Sequence, residues 1–555
     1  MKSFVLRSTL LAFVTLAASA LYAQVQTNQV EKNQNQPEAG QKAPEYVYRT
    51  ATRLVILDIV ATDAHGKVVT DLKPDEIQIL ENGKEQRKVD FSFIHPDAKQ
   101  AAMQVNLKLP PNVYTNVRQY SGNSSYNIIL FDVLNSSFTS MAYAHDEMLK
   151  FLDNTPPNQP TAIYALGNKL WLLHDFTTDR EALKDVIRQF KGQGSHIVVA
   201  EDQKGHKRKD TFMTAGSDHV WTTMDAFKSL ARIMAAYKGR KNLIWLSESF
   251  VLDTMPDENP SRGPLFMNEF SREVELMSDA LMESQIAIYP IEPGGLSGES
   301  FRAALSDFNS HSSLEEMAAR TGGKAFLNHN DIDMDIRGSI DDGSSYYTTS
   351  YHPSNKTWDG KLRKIELKTT RPGVKLRYRE GYYASDPSIL PGAKKDLKET
   401  SINFAQALDP DLPPSTGVLF QAQVVPPSVK TENKVLVNFA MDPHTLAFEK
   451  RSDGTEHAEV SCIAWAFPVK GKPIGSGGGT VNANVDQTTL EKIMHAAFPC
   501  RQTLSLTPGN YMLRLGVIDQ LSKHIGALTA WITIPGASDT AAKMAPAAPH
   551  QPGNE

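Results

Sequence analysis

The chain has 555 residues, of which 41% are hydrophobic and 22% are charged, and it carries a formal net charge of −5. This length exceeds what one hydrophobic core usually supports, so about three or four domains are expected. The negative charge argues against a nucleic-acid-binding protein, which normally presents a basic face. After the N-terminus, no apolar run approaches the ~20 residues of a transmembrane helix.

The N-terminus has the pattern of a targeting segment. Lys2 and Arg7 precede an apolar run over residues 9–16, and small residues continue to Ala23. This pattern predicts a secretory signal peptide over residues 1–23, and therefore an exported protein, periplasmic or extracellular. Residues 24–44 are rich in Gln and Asn and predict a disordered linker, and residues 537–555 predict a disordered tail.

The rest of the chain changes its hydrophobic period several times. Residues 45–119 and 345–385 alternate apolar and polar side chains, as in "RLVILDIVATD" and "SYYTTSYHP", which indicates strands. Between them, residues 120–344 alternate short apolar strands with amphipathic helices, which predicts a mostly parallel, doubly wound sheet covered on both faces. Because each flanking segment is thin for a domain, we expect one β-sandwich into which the α/β domain is inserted.

The C-terminal part is predicted to be all β. A linker over residues 386–414 precedes a run of short alternating strands, and residues 415–536 therefore predict an immunoglobulin-like β-sandwich. The two cysteines of the chain, Cys462 and Cys500, both fall in strand-like segments of this domain. In an oxidising compartment this pair favours a disulfide, and the alternative is two buried free thiols.

One polar cluster follows a buried-looking strand. In "NIILFDVLNSSF" the apolar run ends at Asp132, and Asn135 and Ser136 come directly after it. Ligand sites of open α/β sheets lie outside the carboxyl ends of the strands, so this position is a candidate site. Oxygen-bearing side chains of this kind can hold a hard metal ion, or they can cap the following helix.

The order of these segments resembles the von Willebrand factor type A (VWA) domain. It resembles more closely the VWA-related secreted proteins of acidobacteria, on stretches that include "NIILFDVLNSSF", "FTTDREALKDVIRQF", "YKGRKNLIWLSESF" and "IAIYPIEPGGL". The resemblance covers residues 46–385. It implies a protein that binds another protein through a metal-ion-dependent adhesion site, in which Asp-x-Ser-x-Ser, a Thr and a further Asp hold Mg²⁺.

Some positions match that adhesion motif. Asp132 stands at the first Asp and Ser136 at the last Ser. Either Thr222 or Thr223, expected at the opening of the helix before "GRKNLIW", corresponds to the Thr. The resemblance therefore implies Asp132, Ser136 and Thr223 as metal ligands. It also implies a partner-binding surface at the top of the sheet, made of Asp132, Asn135, Ser136, Thr222, Thr223, Ser247 and Glu248.

Other positions depart from the motif. Leu134 replaces the first Ser, and Ser247, with Glu248 beside it, stands where the last Asp is expected. Since one missing ligand is a charge, we expect a degenerate site that binds Mg²⁺ weakly, and no cofactor is firmly implied.

The functional expectation is a non-enzymatic binding protein. The resemblance implies an exported protein whose partner is another protein of the envelope or the extracellular space, without nucleic acid. A hydrolase on a VWA-like scaffold is one alternative, although the sequence shows no convincing nucleophile–base pair. A purely structural envelope component is the other alternative.

Overall fold

A computed structural model describes residues 54–95, 103–104, 109–117, 120–121, 125–154, 159–190, 212–250, 264–293, 301–384, 401, 403–410, 412–428, 431, 434–468 and 473–535. The predicted signal peptide, the 24–44 linker and the C-terminal tail lie outside these residues, as does most of the 386–414 linker. The described residues fall into two compact units, one within 50–107 and 118–391 and the other within 108–117 and 392–555.

The first part of the chain contains sixteen strands and six helices among its described residues. The early strands are β1 (Val55–Thr62), β2 (Ile77–Glu81), β3 (Lys84–Gln86), β4 (Lys88–Ile94), β5 (Met103–Gln104), β6 (Val113–Thr115) and β7 (Tyr120–Ser121). The α/β segment contains β8 (Tyr126–Asp132), α1 (Phe138–Asn154), β9 (Thr161–Leu166), β10 (Leu170–Thr177), α2 (Arg180–Gln189), α3 (Phe212–Met234), β11 (Lys241–Leu246), α4 (Pro264–Glu283), β12 (Ile286–Ile291), α5 (Phe301–Thr321) and α6 (Ile332–Ser344). The strands β13 (Tyr346–Tyr351), β14 (Leu362–Thr369), β15 (Lys375–Arg377) and β16 (Gly381–Tyr383) follow.

The strands on either side of the α/β segment form one β-sandwich. One sheet has the order β15-β1-β13-β4 and the other the order β16-β14-β2-β3. Within them β1 pairs with β13 and β2 pairs with β14, both antiparallel. Their inward side chains share one core, which includes Leu57, Ile79, Tyr347 and Ile365. The predicted insertion of an α/β domain into a β-sandwich is therefore confirmed.

The inserted segment forms a five-stranded sheet in the order β10-β9-β8-β11-β12. Strands β9, β8, β11 and β12 are parallel, and only the edge strand β10 is antiparallel. Helices α1, α2 and α6 cover the face that carries Ile129 and Phe131. Helix α3 covers the other face, where Phe227 contacts Trp245, and α4 lies beside α3. This is the predicted doubly wound, mostly parallel sheet.

The second unit contains the remaining strands and one helix. They are β17 (Phe420–Val425), β18 (Val435–Met441), β19 (Glu449–Lys450), β20 (Glu456–Pro468), β21 (Gly475–Val485), α7 (Gln487–Met494), β22 (Phe498–Leu504), β23 (Gly509–Asp519) and β24 (Ile525–Ile534). One sheet has the order β22-β18-β17-β6, and the other has the order β19-β20-β23-β24 with β21 paired to β20. Both sheets contribute to one buried core, as expected for the predicted immunoglobulin-like sandwich. Cys462 on β20 and Cys500 on β22 form a disulfide between the two sheets, with Cα atoms 6.7 Å apart.

Strand β6 differs from the sequence expectation. Residues 45–119 were all expected in the N-terminal part of the first sandwich, yet Val113–Thr115 pairs with β17 of the second unit. Asn116 follows this strand and is buried, and its Nδ2 donates to the carbonyls of Ser415 and Val418, each at 2.8 Å. The physical reason is that a three-residue strand carries too little pattern to specify its partner, so the hydrogen bonds offered by β17 decide its place.

None of the helices within the described ranges combines the length and apolar character needed to cross a membrane.

Candidate functional site

The candidate site lies where two neighbouring parallel strands end. Asp132 is the last residue of β8, the central strand, and Ser247 directly follows β11, which pairs with β8 in parallel register. Strand β8 is buried along its whole length, which explains the apolar run that precedes Asp132. Asp132 is itself 0% exposed, so its carboxylate must find its partners within the protein.

The Asp132 carboxylate is surrounded by neutral hydrogen-bond donors. Its Oδ1 accepts from the backbone N–H of Asn135 at 3.0 Å. Its Oδ2 accepts from Nδ2 of Asn135 at 2.8 Å and from Nε1 of Trp245 and Oγ of Ser247, each at 2.9 Å. Burial raises the pKa of Asp132 above its ordinary value, and the hydrogen bonds from Asn135, Ser247 and Trp245 oppose that shift.

Asn135 connects the loop after β8 to helix α3. Its Nδ2 lies 2.9 Å from Oγ1 of Thr223, and that hydroxyl donates to the carbonyl of His219 at 2.9 Å. Thr222 and Thr223 were expected at the opening of a helix, but both lie in the interior of α3, which begins at Phe212. The helix starts earlier because the residues before Thr222 contain no proline to stop it.

Ser136, in the loop after β8, and Glu248, in the loop after β11, each accept a hydrogen bond from the backbone of the other loop. Oγ of Ser136 accepts from the backbone N–H of Glu248 at 2.9 Å, and Oε2 of Glu248 accepts from the backbone N–H of Ser137 at 2.6 Å. The Glu248 carboxylate is thus bound to the backbone just before α1, where negative charge is favoured. It bonds to this backbone N–H and not to the group around Asp132.

The residues of this site do not fit a hard divalent cation. Magnesium requires about six oxygen ligands in an octahedral array. Leu134 offers no ligand, Ser247 donates its hydroxyl proton to Asp132, and an N–H donor of Asn135 lies between Asp132 and Thr223. Within the described ranges, no group of three or more His, Cys, Asp or Glu side chains is placed to hold a metal ion.

Two contacts of the site are absent from the sequence-based prediction. Trp245 is completely buried and reaches Asp132 with its indole N–H, and its position two residues before Ser247 in "NLIWLSES" is the only available signal. At the end of β12, Glu292 Oε1 lies 2.9 Å from Nε2 of His311 in α5. This contact pairs Nε2 of His311 with a carboxylate.

Exposed apolar side chains lie on the helices that follow these loops. Phe138, the first residue of α1, is 61% exposed and directly follows Ser137. Tyr143 on α1 and Met334 on α6 are also exposed, and Oη of Tyr143 donates to the carbonyl of Asn330 just before α6. We call Phe138, Tyr143 and Met334 the apolar rim.

The chain is similar to several solved structures, whereas no family model and no curated protein sequence matches it. One of these structures is an aerotolerance-related membrane protein from Bacteroides fragilis, with 11% identity and a TM-score of 0.24 over 39% of this chain and 98% of that chain. A von Willebrand factor type A protein from Catenulispora acidiphila has 9% identity and a TM-score of 0.23 over 89% of this chain and 77% of that chain.

A third similar structure is the vWF domain of the type V pili tip protein Mfa5 from Porphyromonas gingivalis. It has 12% identity and a TM-score of 0.22 over 40% of this chain and 97% of that chain. At such low identities and TM-scores, these structures do not indicate what the candidate site binds. Its binding properties have to be derived from its own side chains.

Proposed function

We propose that this chain is an exported, non-enzymatic protein that binds another protein at the carboxyl-end surface of its α/β domain, through a degenerate adhesion site that works without a metal ion. On this proposal it is a VWA-related protein of the acidobacterial secreted type, acting in the periplasm or outside the cell.

The observation that carries the proposal is the exposed aromatic residue beside a rigid polar framework. Phe138 is 61% exposed, although it begins a helix whose other face is packed in the core. The preceding loop is held by the hydrogen bonds of Asp132, Ser136 and Glu248. A rigid loop presents an apolar side chain at little entropic cost on binding, which favours a protein partner.

Charge near the apolar rim indicates the chemistry of the partner. Asp146 on α1 and Asp331 just before α6 are both exposed, close in sequence to the rim residues of these two helices. We therefore expect the partner to offer an apolar side chain flanked by basic residues.

The polar groups of the site support binding in preference to catalysis. The hydroxyl of Ser247 is directed at Asp132, and that of Ser137 at Ser140, 2.9 Å away. A serine nucleophile would instead need its hydroxyl bonded to a base such as histidine. Each hydroxyl thus contributes to the framework of the loops.

Capture from envelope extract tests the proposal. We expect the full chain to capture a protein in the presence and in the absence of EDTA, and Phe138→Ser to reduce capture by about tenfold, as expected for a central interface aromatic. Leu362→Ser is the matched control, because Leu362 is a 49% exposed apolar residue on β14 of the sandwich, and it should capture as the wild type does.

Three results would contradict the proposal. Equal capture by Phe138→Ser would remove the apolar rim from the interface. Capture that EDTA abolishes would contradict recognition without a metal ion. Hydrolysis of a panel of ester, peptide and glycoside substrates, lost in Ser247→Ala, would contradict the non-enzymatic assignment.

A further inference from the structure

The amide group of Asn135 lies between two oxygen atoms from distant parts of the chain. Its Nδ2 is 2.8 Å from Oδ2 of Asp132 on β8 and 2.9 Å from Oγ1 of Thr223 on α3. The atom that faces a carboxylate at this distance must be the donor nitrogen, because the amide oxygen would be repelled. The two hydrogens of one NH₂ group therefore link both oxygens.

A divalent cation held by the same two oxygens would need the same space. Magnesium lies ~2.1 Å from each of its oxygen ligands, so an ion shared by these two atoms would overlap the amide nitrogen. We propose that the Asn135 carboxamide takes the place of the cation, so that the site is closed to divalent metals by its own side chain.

The other side-chain donors to Asp132 converge on the same oxygen. Oδ2 accepts from Asn135 Nδ2, Trp245 Nε1 and Ser247 Oγ, while Oδ1 accepts from the backbone N–H of Asn135. A metal ion would have to displace the amide and separate Asp132 from at least one hydrogen bond. It would gain only one carboxylate in return, which compensates poorly for the dehydration of Mg²⁺.

The amide connects the same two oxygen atoms that a metal ion would connect, but it adds no positive charge. It connects the loop after β8 to α3 through neutral hydrogen bonds, and Thr223 is in turn anchored to the carbonyl of His219. This inference is independent of any partner, because it concerns metal binding by the isolated protein. Failure of the partner experiment would leave it intact.

Substitution of Asn135 by Asp tests the inference. In Asn135→Asp a second carboxylate replaces the amide beside Asp132, and two carboxylates in contact cannot both ionise without a cation or a proton. We expect metal-free Asn135→Asp to unfold at a lower temperature than the wild type. We expect Mn²⁺ to restore much of that loss, with binding at least about tenfold tighter than any binding by the wild type.

Two controls separate the site from general effects. Thr139→Asp adds the same charge at an exposed position of α1, and its melting temperature should not respond to Mn²⁺. Asn135→Ala removes both hydrogen bonds without adding a ligand, so it should lower the melting temperature and remain insensitive to Mn²⁺.

Calorimetric titration of metal-free protein with Mg²⁺ and Mn²⁺ decides the outcome. We expect no binding heat for the wild type. Tight binding by the wild type that Asp132→Ala abolishes would overturn the inference, as would a folded Asn135→Asp protein with no response to Mn²⁺. If Asn135→Asp folds only when Mn²⁺ is present, that result supports the inference.

Discussion

The two ends of the inserted parallel sheet solve the problem of a buried charge in different ways. At the carboxyl end, the buried carboxylate of Asp132 has an amide, an indole, a hydroxyl and a backbone N–H as its partners. At the amino end, β11 begins beside Asp58 of the sandwich strand β1. We call the first group the carboxyl-end cluster and the second, made of Asp58, Arg240, Lys241, Gln285 and Arg379, the amino-end cluster.

The amino-end cluster places opposite charges near one another. Arg240 is 2% exposed, and its Nη2 donates to Oη of Tyr289 at 2.9 Å and to the carbonyl of Gly322 at 2.7 Å. Nε2 of Gln285 lies 3.3 Å from both carboxylate oxygens of Asp58. Burial raises the pKa of Asp58, and the nearby positive charges of Arg240 and Arg379 oppose the shift.

This difference between the two ends predicts how much stability is lost when a side chain at either end is replaced. Neutral donors around one carboxylate can be removed singly, because the remaining hydrogen bonds still solvate the charge. Removing a buried positive charge near Asp58 instead leaves that carboxylate less compensated. Stability should therefore be more sensitive to substitution at the amino end than at the carboxyl end.

The largest effect should follow from Arg240→Met. Loss of the guanidinium leaves Asp58 less compensated and removes the donors to Tyr289 and Gly322, so we expect the free energy of unfolding to fall by about 3–5 kcal/mol. Urea denaturation at neutral pH measures it. Arg188→Met is the control, since Arg188 is half exposed and paired with Asp185 at 2.8 Å; it should change stability by less than about 1 kcal/mol. A loss as small for Arg240→Met would refute the comparison.

A smaller effect is expected for Trp245→Phe at the carboxyl end. Phenylalanine keeps most of the packing against Phe227 and Phe250 but deletes the indole donor to Asp132. We expect a loss of about 1–2 kcal/mol, because three donors to Asp132 remain. Thermal unfolding monitored by circular dichroism measures it, and Trp531→Phe, at a 61% exposed position on β24, should be neutral. A loss equal to that of Arg240→Met would show that the two ends do not differ.

The effect of Lys241→Met on stability should depend on pH. Burial lowers the pKa of Lys241 to about 7, and Asp58 opposes the shift. Between that value and the ordinary lysine pKa of about 10.4, the unfolded chain binds more protons than the folded one, so wild-type stability rises with pH across this interval. The variant should lack that rise, so it should be more stable than the wild type at neutral pH, by an amount that falls as the pH increases.

Unfolding free energies measured from about pH 7 to about pH 10 test this prediction. The stability difference between variant and wild type should shrink steadily as the pH rises. A difference that stays constant would mean that Lys241 titrates alike in the folded and the unfolded chain.

Local sequence patterns were sufficient for the order of the β-rich and α/β segments. The period of two in residues 45–119 and 345–385 and the apolar run before Asp132 report burial, which depends on neighbouring residues along the chain. The same patterns correctly predicted the inserted α/β domain, and the end of β8 at Asp132 followed from where the apolar run stops.

Only the tertiary structure decided which distant residues contact one another. Asp132 meets Trp245 across 113 positions and Asn135 meets Thr223 across 88, and β6 joins a strand some 300 residues further on. A strand pattern with a period of two shows which face a side chain occupies, but the partner depends on strand order and register. That is why the sequence indicated an adhesion-type carboxylate at Asp132, while the neutral donors that surround it emerged only from the folded arrangement of β8, β11 and α3.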